Sequence, residues 1–449
     1  MSPLIIAPLV TLTACSAQSP TPDPAPEPTV SSSPTVALPD SPVGEAAAWV
    51  LNTLAADSGP TAEEAEQRFA PVFLEQVPAD QAEAVFTQLR GAGPFTLTEW
   101  QDEGRRGKAR LGSDQGDFDM QISVDEAGLI DGLLFTPAEE TPEVTDPAEA
   151  SRALADRAQH SSFLWADGTC TPIEVHDENT VLPIGSMFKL YVLGAVVSGV
   201  EQGTIGWDDE LTITEELKSL PSGTLQDEEA GTTVTVAEAA RLMISISDNT
   251  ATDLLIHHVG RDAVEAEVAA MGHHEPELMK PFLTTREMFQ IALSDADLRQ
   301  QWATATGSPT EADPAVTTAQ REIVEGLPSW DRQFNEELFA TPFWDEGLDW
   351  FASATDLCRA HANLQERAGT AAGEPVREIL SENPGVPVDD AEYLGFKGGS
   401  SVGEIGLSFW IERGDETRVL VMQTAADQAD GVPGESWIAD LAGQVLNAG

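Results

Sequence analysis

The chain has 449 residues, with 76 Asp or Glu against 23 Lys or Arg, so its formal net charge is −53 and its pI lies near 4.1. That charge excludes a nucleic-acid binder held by phosphate contacts, and no run approaches the ~18 apolar residues that a membrane helix needs. Hydrophobic residues make up 41% of the chain, enough for a packed core, and length alone sets an expectation of two or three domains. Only five lysines occur, Lys108, Lys189, Lys218, Lys280 and Lys397, and the acid excess is spread evenly. Self-repulsion of such a surface is relieved by salt, which predicts a salt-tolerant protein.

From the N-terminus, Leu4 to Ala14 form a short apolar stretch that closes on Leu12-Thr13-Ala14-Cys15. Small residues before a Cys resemble the lipobox of bacterial lipoproteins, so residues 1–15 are expected to act as a signal peptide. Cys15 would then carry lipid and hold the protein at the outer face of the membrane. Residues 16–40 hold seven prolines between Pro20 and Pro39, interleaved with Ser, Thr, Asp and Glu. This composition predicts an extended tether. The remaining cysteines, Cys170 and Cys358, either pair or stay as buried thiols.

Residues 41–137 read as helices followed by strands. Trp49, Val50 and Leu54 start an amphipathic segment that Phe69, Val72, Phe73 and Val77 continue, and Ala82 to Leu89 forms another helix. Phe118, Met120, Ile122 and Val124 alternate with polar residues as a half-buried strand does, and Leu129 to Phe135 returns as its partner. An α+β layer follows, with helices on an antiparallel sheet. Residues 138–150 are rich in Pro, Thr, Asp and Glu and read as a linker.

Residues 151–449 form the second domain. It opens with a helix around Ser151 to Ala158, then strands at Ser162–Trp165 and Thr171–Val175 flank a turn. A helix-rich middle fills about Leu190 to Gln365. Strands return at Tyr393–Gly398, Gly406–Glu412 and Thr417–Gln423. A sheet drawn from both chain ends around a helical insertion makes a two-lobed α/β body with a cleft between its lobes.

Three short segments carry chemistry. In Ser186-Met187-Phe188-Lys189 the i, i+3 spacing puts Ser186 and Lys189 on one face of an apolar helix. The helix N-terminus stabilises an oxyanion formed when Ser186 attacks a carbonyl, and the same field with burial favours a neutral Lys189 that can act as base. Ser247-Asp248-Asn249 stands between helices Val236–Ile246 and Thr250–Val259, either as a cap or as a cleft wall. As a wall, Ser247 relays a proton and the Asn249 amide binds substrate. Lys397-Gly398-Gly399-Ser400 lies on a strand, where two glycines mark either a loosened end or a close approach. In the second case Lys397 attracts a substrate carboxylate, Gly399 lets the chain approach, and the Ser400 N–H completes an oxyanion hole.

In this order the three segments resemble the Ser-x-x-Lys, Ser-Asp-Asn, Lys-Thr-Gly set of serine β-lactamases and penicillin-binding proteins. The resemblance covers residues 151–449 and is closest to class A β-lactamases, notably over Thr233 to Leu255. The front domain is similar to the cone-like ketosteroid-isomerase fold, an accessory domain found before β-lactamase-like domains in actinobacterial clavulanate clusters. The resemblance implies an antiparallel sheet flanked by helices plus an all-α lobe. It also implies a monomeric serine hydrolase, without metal or cofactor, acting on a β-lactam or on a related ester or peptide, with a penicillin-binding or accessory protein that does not turn over as the alternative. By carry-over, Ser186 is the nucleophile, Lys189 the base, Ser247 the proton relay, Asn249 a substrate contact and Lys397 the carboxylate anchor. Two departures stand out. Gly398 replaces the hydroxyl residue of Lys-Thr-Gly, and no Glu-x-x-Leu-Asn lies between Ser247 and Lys397, which leaves Glu336 and Glu337 as the nearest carboxylates for activating water. The aromatics Trp330, Phe334, Phe339, Phe343, Trp344, Trp350 and Phe351 either wall the cleft or pack the core. His257-His258 and His273-His274 lack zinc-site spacing and read as structural.

Overall fold

The structure, a computed structural model, describes residues 36–448 apart from 57, 75–76, 126, 221, 307–309, 311–312, 336–337 and 339. The apolar leader, Cys15, Glu336, Glu337 and Phe339 lie outside the described residues. The chain divides into two compact units, with the boundary between Glu139 and Glu140. No helix among the described residues is long and apolar enough to cross a membrane.

In the first unit, α1 (Pro42–Ala55) starts where Ser41 accepts the N–H of Gly44 and Pro42 takes the first helical position, which needs no N–H. A capping box between Thr61 and Glu64 opens α2 (Ala62–Arg68). Phe69 leaves the helix and bridges to Ile130, so the apolar spacing from Phe69 to Val77 is not one helix as expected. Pro71 interrupts it, leaving the single turn α3 (Pro71–Leu74) before α4 (Ala82–Arg90). The strands β1 (Thr96–Glu103), β2 (Arg106–Gly112), β3 (Phe118–Val124) and β4 (Ile130–Pro137) form an antiparallel meander in chain order. Phe118, Met120, Ile122 and Val124 of β3 pack with Val50, Phe69, Phe73 and Phe86 in one core. β1 and β2 had no sequence signal. In β2 the buried alternation rests on Gly107, Ala109 and Leu111, too little apolar surface to show period two. Pairing with β3 holds it extended.

In the second unit, α5 (Pro147–Arg157) begins inside the expected linker, because Asp146 accepts the Glu149 N–H and Pro147 fills the first helical position. β5 (His160–Asp167) and β6 (Pro172–His176) are joined by a turn in which Asp167 accepts the N–H groups of Thr169 and Thr171. Then come β7 (Leu182–Pro183), a 3₁₀ turn at Gly185–Phe188 and α6 (Lys189–Glu201). The short pair β8 (Glu210–Thr212) and β9 (Thr233–Thr235) leads into a helical region. It comprises α7 (Val236–Ser245), α8 (Asn249–Val259), α9 (Arg261–Ala270), α10 (Thr285–Leu293), α11 (Ala296–Thr306) and α12 (Pro314–Glu325). β10 (Phe351–Ala352) pairs with β7 and precedes α13 (Ala354–Ala368) and α14 (Val376–Ser381). The chain ends in β11 (Tyr393–Ser401), β12 (Glu404–Arg413), β13 (Glu416–Ala425) and α15 (Glu435–Ala448).

The five-stranded sheet has the order β11-β12-β13-β5-β6 and is antiparallel throughout. Alternate residues supply two cores: Phe163, Trp165, Phe409 and Leu420 pack with α5 and α15, whereas Leu164, Ala166, Val419 and Val421 join the core of α6, α13 and the helical region. This is the expected antiparallel sheet drawn from both chain ends, covered by helices. A disulfide joins Cys170, in the turn after β5, to Cys358 on α13, and so decides between pairing and free thiols.

Candidate active site

Ser186 sits in the 3₁₀ turn that leads into α6, and Lys189 is the first residue of that helix. Nine consecutive buried residues, Lys189 to Val197, bury the start of α6 on every side, so Lys189 is drawn into the core with its amine. Four oxygens surround Lys189 Nζ: Ser247 O at 2.6 Å, Asn249 Oδ1 at 2.7 Å, Ser247 Oγ at 3.0 Å and Ser186 Oγ at 3.1 Å. The two closest are carbonyl oxygens, which can only accept. A neutral amine has two N–H donors, which satisfy them and leave its lone pair facing the two hydroxyls. Burial, and after it the charge of Lys397, hold the Lys189 amine well below the usual lysine range. The arrangement favours the neutral amine.

The Ser247-Asp248-Asn249 segment divides both expected roles among its residues. Asp248 is the cap: Oδ1 accepts the Ala251 N–H at the start of α8, and Oδ2 accepts those of Thr224 and Leu225. Its neighbours turn toward Lys189. Ser247 adopts a left-handed φ of 57°, an unusual conformation for a residue with a side chain, and this presents both its carbonyl and its hydroxyl to the amine. Asn249 also donates to Leu220 O at 3.1 Å, which orients its amide.

Lys397 comes from β11, 150 residues beyond Ser247, and is buried. Its Nζ donates to Ser247 Oγ at 3.1 Å and to Gly398 O at 2.7 Å. Gly399 runs directly beside the nucleophile turn, which answers whether two glycines there mark a close approach. Ser400 is next along the strand, and its amide nitrogen lies against Gly185. The structure therefore brings Ser186, Lys189, Ser247, Asn249, Lys397, Gly399 and Ser400 to one place. No carboxylate among the described residues hydrogen-bonds the Ser186 hydroxyl.

Of the described aromatics, Trp330, Phe343, Trp344, Trp350 and Phe351 are buried and Phe334 is partly buried against the core. Trp350 stacks on Phe188 at 3.6 Å between centroids and so braces the turn behind Ser186. His273 and His274 converge with Asp356, but each ring nitrogen of His273 is engaged, Nε2 with Phe351 O and Nδ1 with Glu275 N. Asp356 caps α13 through Ser353.

Several supporting residues escaped the sequence reading. Ser222 Oγ donates to Ser247 O at 2.8 Å. Ser408 Oγ donates to Lys397 O at 2.8 Å and lies 3.1 Å from Nε2 of His361, which burial pushes down to about 4 and keeps neutral. A lone Ser or His at such distances along the chain carries no local pattern, and only pairing of β11 with β12 brings Ser408 opposite Lys397.

Residues 38–130 match the family described as ORF 12 gene product N-terminal, and residues 148–320 match the β-lactamase enzyme family. Among curated proteins, none matches the chain. Similar solved structures include a β-lactamase from Sphaerobacter thermophilus, 20% identical, covering 67% of this chain and 95% of that one with a TM-score of 0.44. A PBP-A mutant described as an acyl-enzyme complex with penicillin G is 15% identical over 66% of this chain and 93% of that one, with a TM-score of 0.44. An ancestral class A β-lactamase is 18% identical over 66% and 98%, also at 0.44. The front-unit match is to a family named for its position rather than to a ketosteroid isomerase. In the second unit, the stretch similar to the β-lactamase enzyme family, residues 148–320, contains Ser186, Lys189, Ser247 and Asn249, and the fold adds Lys397, Gly399 and Ser400 from outside it.

Proposed function

We propose that the second unit is a serine hydrolase that forms an acyl-enzyme on Ser186, with β-lactams as acyl donors and slow release. The observation that carries the reading is the buried Lys189 amine 3.1 Å from Ser186 Oγ, with its donors committed to Ser247 O and Asn249 Oδ1. The match of residues 148–320 to the β-lactamase enzyme family supports it.

In this reading Ser186 Oγ attacks the carbonyl carbon while its proton passes to Lys189 Nζ. The N–H groups of Ser186 and Ser400 stabilise the oxyanion. The carbon–nitrogen bond then breaks as Ser247 Oγ gives its proton to the leaving nitrogen, and Ser247 is reprotonated from Lys189 or Lys397. Lys397 draws in the substrate carboxylate, and Asn249 contacts its acyl chain. Release needs a water and a base. Gly398, which offers no hydroxyl, weakens recognition of the substrate carboxylate, and the lack of a carboxylate at Ser186 among the described residues favours slow release; the alternatives are an esterase or D,D-peptidase that turns over other acyl donors, or a penicillin-binding protein that stays acylated.

Intact-protein mass spectrometry of the wild type and Ser186→Ala, after brief exposure to a penicillin, a cephalosporin and an activated ester, tests this. A Ser186-dependent adduct that appears and decays supports a hydrolase and ranks its donors. An adduct that persists favours the binding protein, and neither adduct nor product from any donor overturns the reading. For the first unit the proposal is a ketosteroid-isomerase-like accessory domain. Export and lipidation at Cys15, at the outer face of the membrane, complete it, and the mass of the mature N-terminus checks that step.

A further inference from the structure

Next to the nucleophile turn lie two carboxyl groups that the acyl-serine chemistry does not use. Asp349 is 7% exposed and Glu404 is 2% exposed. Asp349 Oδ1 accepts the N–H groups of Trp350 at 2.7 Å, Gly185 at 3.0 Å and Ile184 at 3.3 Å. Asp349 Oδ2 and both oxygens of Glu404 meet no donor among the described residues, yet the two carboxyl groups lie within hydrogen-bonding reach of each other. Two bare carboxylates so placed repel. A carboxylic acid facing a carboxylate makes a strong O–H···O bond, and a single proton converts one arrangement into the other.

Glu404 also touches the turn itself. Gly185 has a left-handed φ of 44°, and a β-carbon there would stand 2.9 Å from Glu404 Oε1 and 2.9 Å from Ser400 N. Asp349 therefore holds the turn from one side through its N–H groups, while Glu404, at the start of β12, joins it to the hairpin that carries Ser400. Other ionisable groups on the surrounding elements are engaged elsewhere. Lys189 meets Ser247 and Asn249, and Lys397 meets Ser247 and Gly398. Glu346 pairs with Arg299, burial and then the Glu346 charge raise Asp345, and Asp356 and His273 serve α13 and Phe351.

We propose that Asp349 and Glu404 share one proton and act as positioning residues, locking the Gly185–Ser186 turn against the β11–β12 hairpin so that the Ser186 and Ser400 amides stay aligned. The kinetic part of this proposal rests on the acyl-serine reading, whereas the pair itself does not. Burial raises both carboxyl groups above the usual range, and the Asp349 charge raises Glu404 further. The folded chain thus keeps a proton that the unfolded chain releases in the ordinary carboxylate range. Its stabilising contribution is full at acid pH and is lost as pH rises through the folded value.

Three measurements on the full chain from pH 5 to pH 9 test the pair. Burial also pushes the Asp253 carboxyl up to about 7, so the infrared readout is the difference spectrum at pH 7, in which the wild type shows a protonated-carboxyl C=O stretch that Glu404→Gln lacks. Because Gln keeps an N–H···O bond to Asp349 with no proton to lose, the unfolding midpoint of Glu404→Gln rises relative to wild type by a few degrees across the range. The ratio of Ser186 acylation rates by a p-nitrophenyl ester or a penicillin, Glu404→Gln over wild type, rises several-fold over the same range. Should Glu404→Gln fail to fold, Asp349→Asn serves, since its amide donates to Glu404 and its oxygen still accepts the turn N–H groups. Absence of that difference band overturns proton sharing. A pH-independent acylation ratio overturns positioning, even where stability changes. If no donor acylates Ser186 at any pH, the hydrolase reading fails, and the infrared and unfolding measurements still decide the pair.

Discussion

Gly399 and Ser186 touch backbone to backbone: a β-carbon at Gly399 would stand 2.7 Å from the Ser186 nitrogen and 2.3 Å from Ile184 O. Both obstacles are main-chain atoms, so a side chain at 399 must push the nucleophile turn away from β11. Gly399→Ala is expected to fold and to lose at least ~100-fold in Ser186 acylation rate, the scale of an ångström misplacement in an active site. Stopped-flow acylation beside circular dichroism checks it. Near-normal acylation in a folded variant would show that the Ser400 amide plays no part.

Lys189 is held well below the usual lysine range chiefly by burial, which favours the neutral amine that the proposed base requires. Acylation should fall as acid protonates the amine, a loss that Glu404→Gln shares with the wild type, so that it cancels in the ratio of the two rates. Lys189→Met should lower acylation by about 10²- to 10⁴-fold, the usual worth of a positioned base. Stability carries the opposite mark: the unfolded chain binds a proton that the folded lysine refuses, so stability rises as pH climbs toward the normal lysine value. Lys189→Met should lack that part of the rise. Urea titrations at several pH values compare the two chains.

The disulfide spans 188 positions from Cys170 to Cys358 and links the sheet edge to α13. Its removal by Cys170→Ser with Cys358→Ser should cost about 3–5 kcal/mol through the larger freedom of the unfolded chain. Denaturant unfolding with and without reductant measures this. An unchanged midpoint would mean that the bond does not form in the isolated protein.

With a net charge of −53, raising NaCl from low to molar concentration should raise the unfolding midpoint by screening self-repulsion. Scanning calorimetry across salt concentrations decides it, and a flat response would show that the acidic surface is neutral toward stability.

The segments of the candidate site were legible along the chain because each is short and local. An i, i+3 Ser and Lys opening an apolar helix, and a polar tripeptide between two amphipathic helices, report their geometry without distant partners. The strands of the large sheet were legible too, since β5, β11, β12 and β13 carry dense apolar residues. Strands β1 and β2 were not, because β1 offers only the partly buried Leu97 and Trp100, the buried positions of β2 are few and mostly small, and only pairing keeps them extended. The start of α5 was masked by the Pro- and acid-rich composition that its own N-cap uses. What only the tertiary structure decided is convergence: Lys397 comes to Ser247 across 150 residues, Cys170 to Cys358 across 188, and Asp349 faces Glu404 beside Gly185. In a chain with 76 acidic residues no single Asp or Glu is conspicuous. Burial and a facing carboxyl distinguish these two, and both are properties of packing rather than of order along the chain.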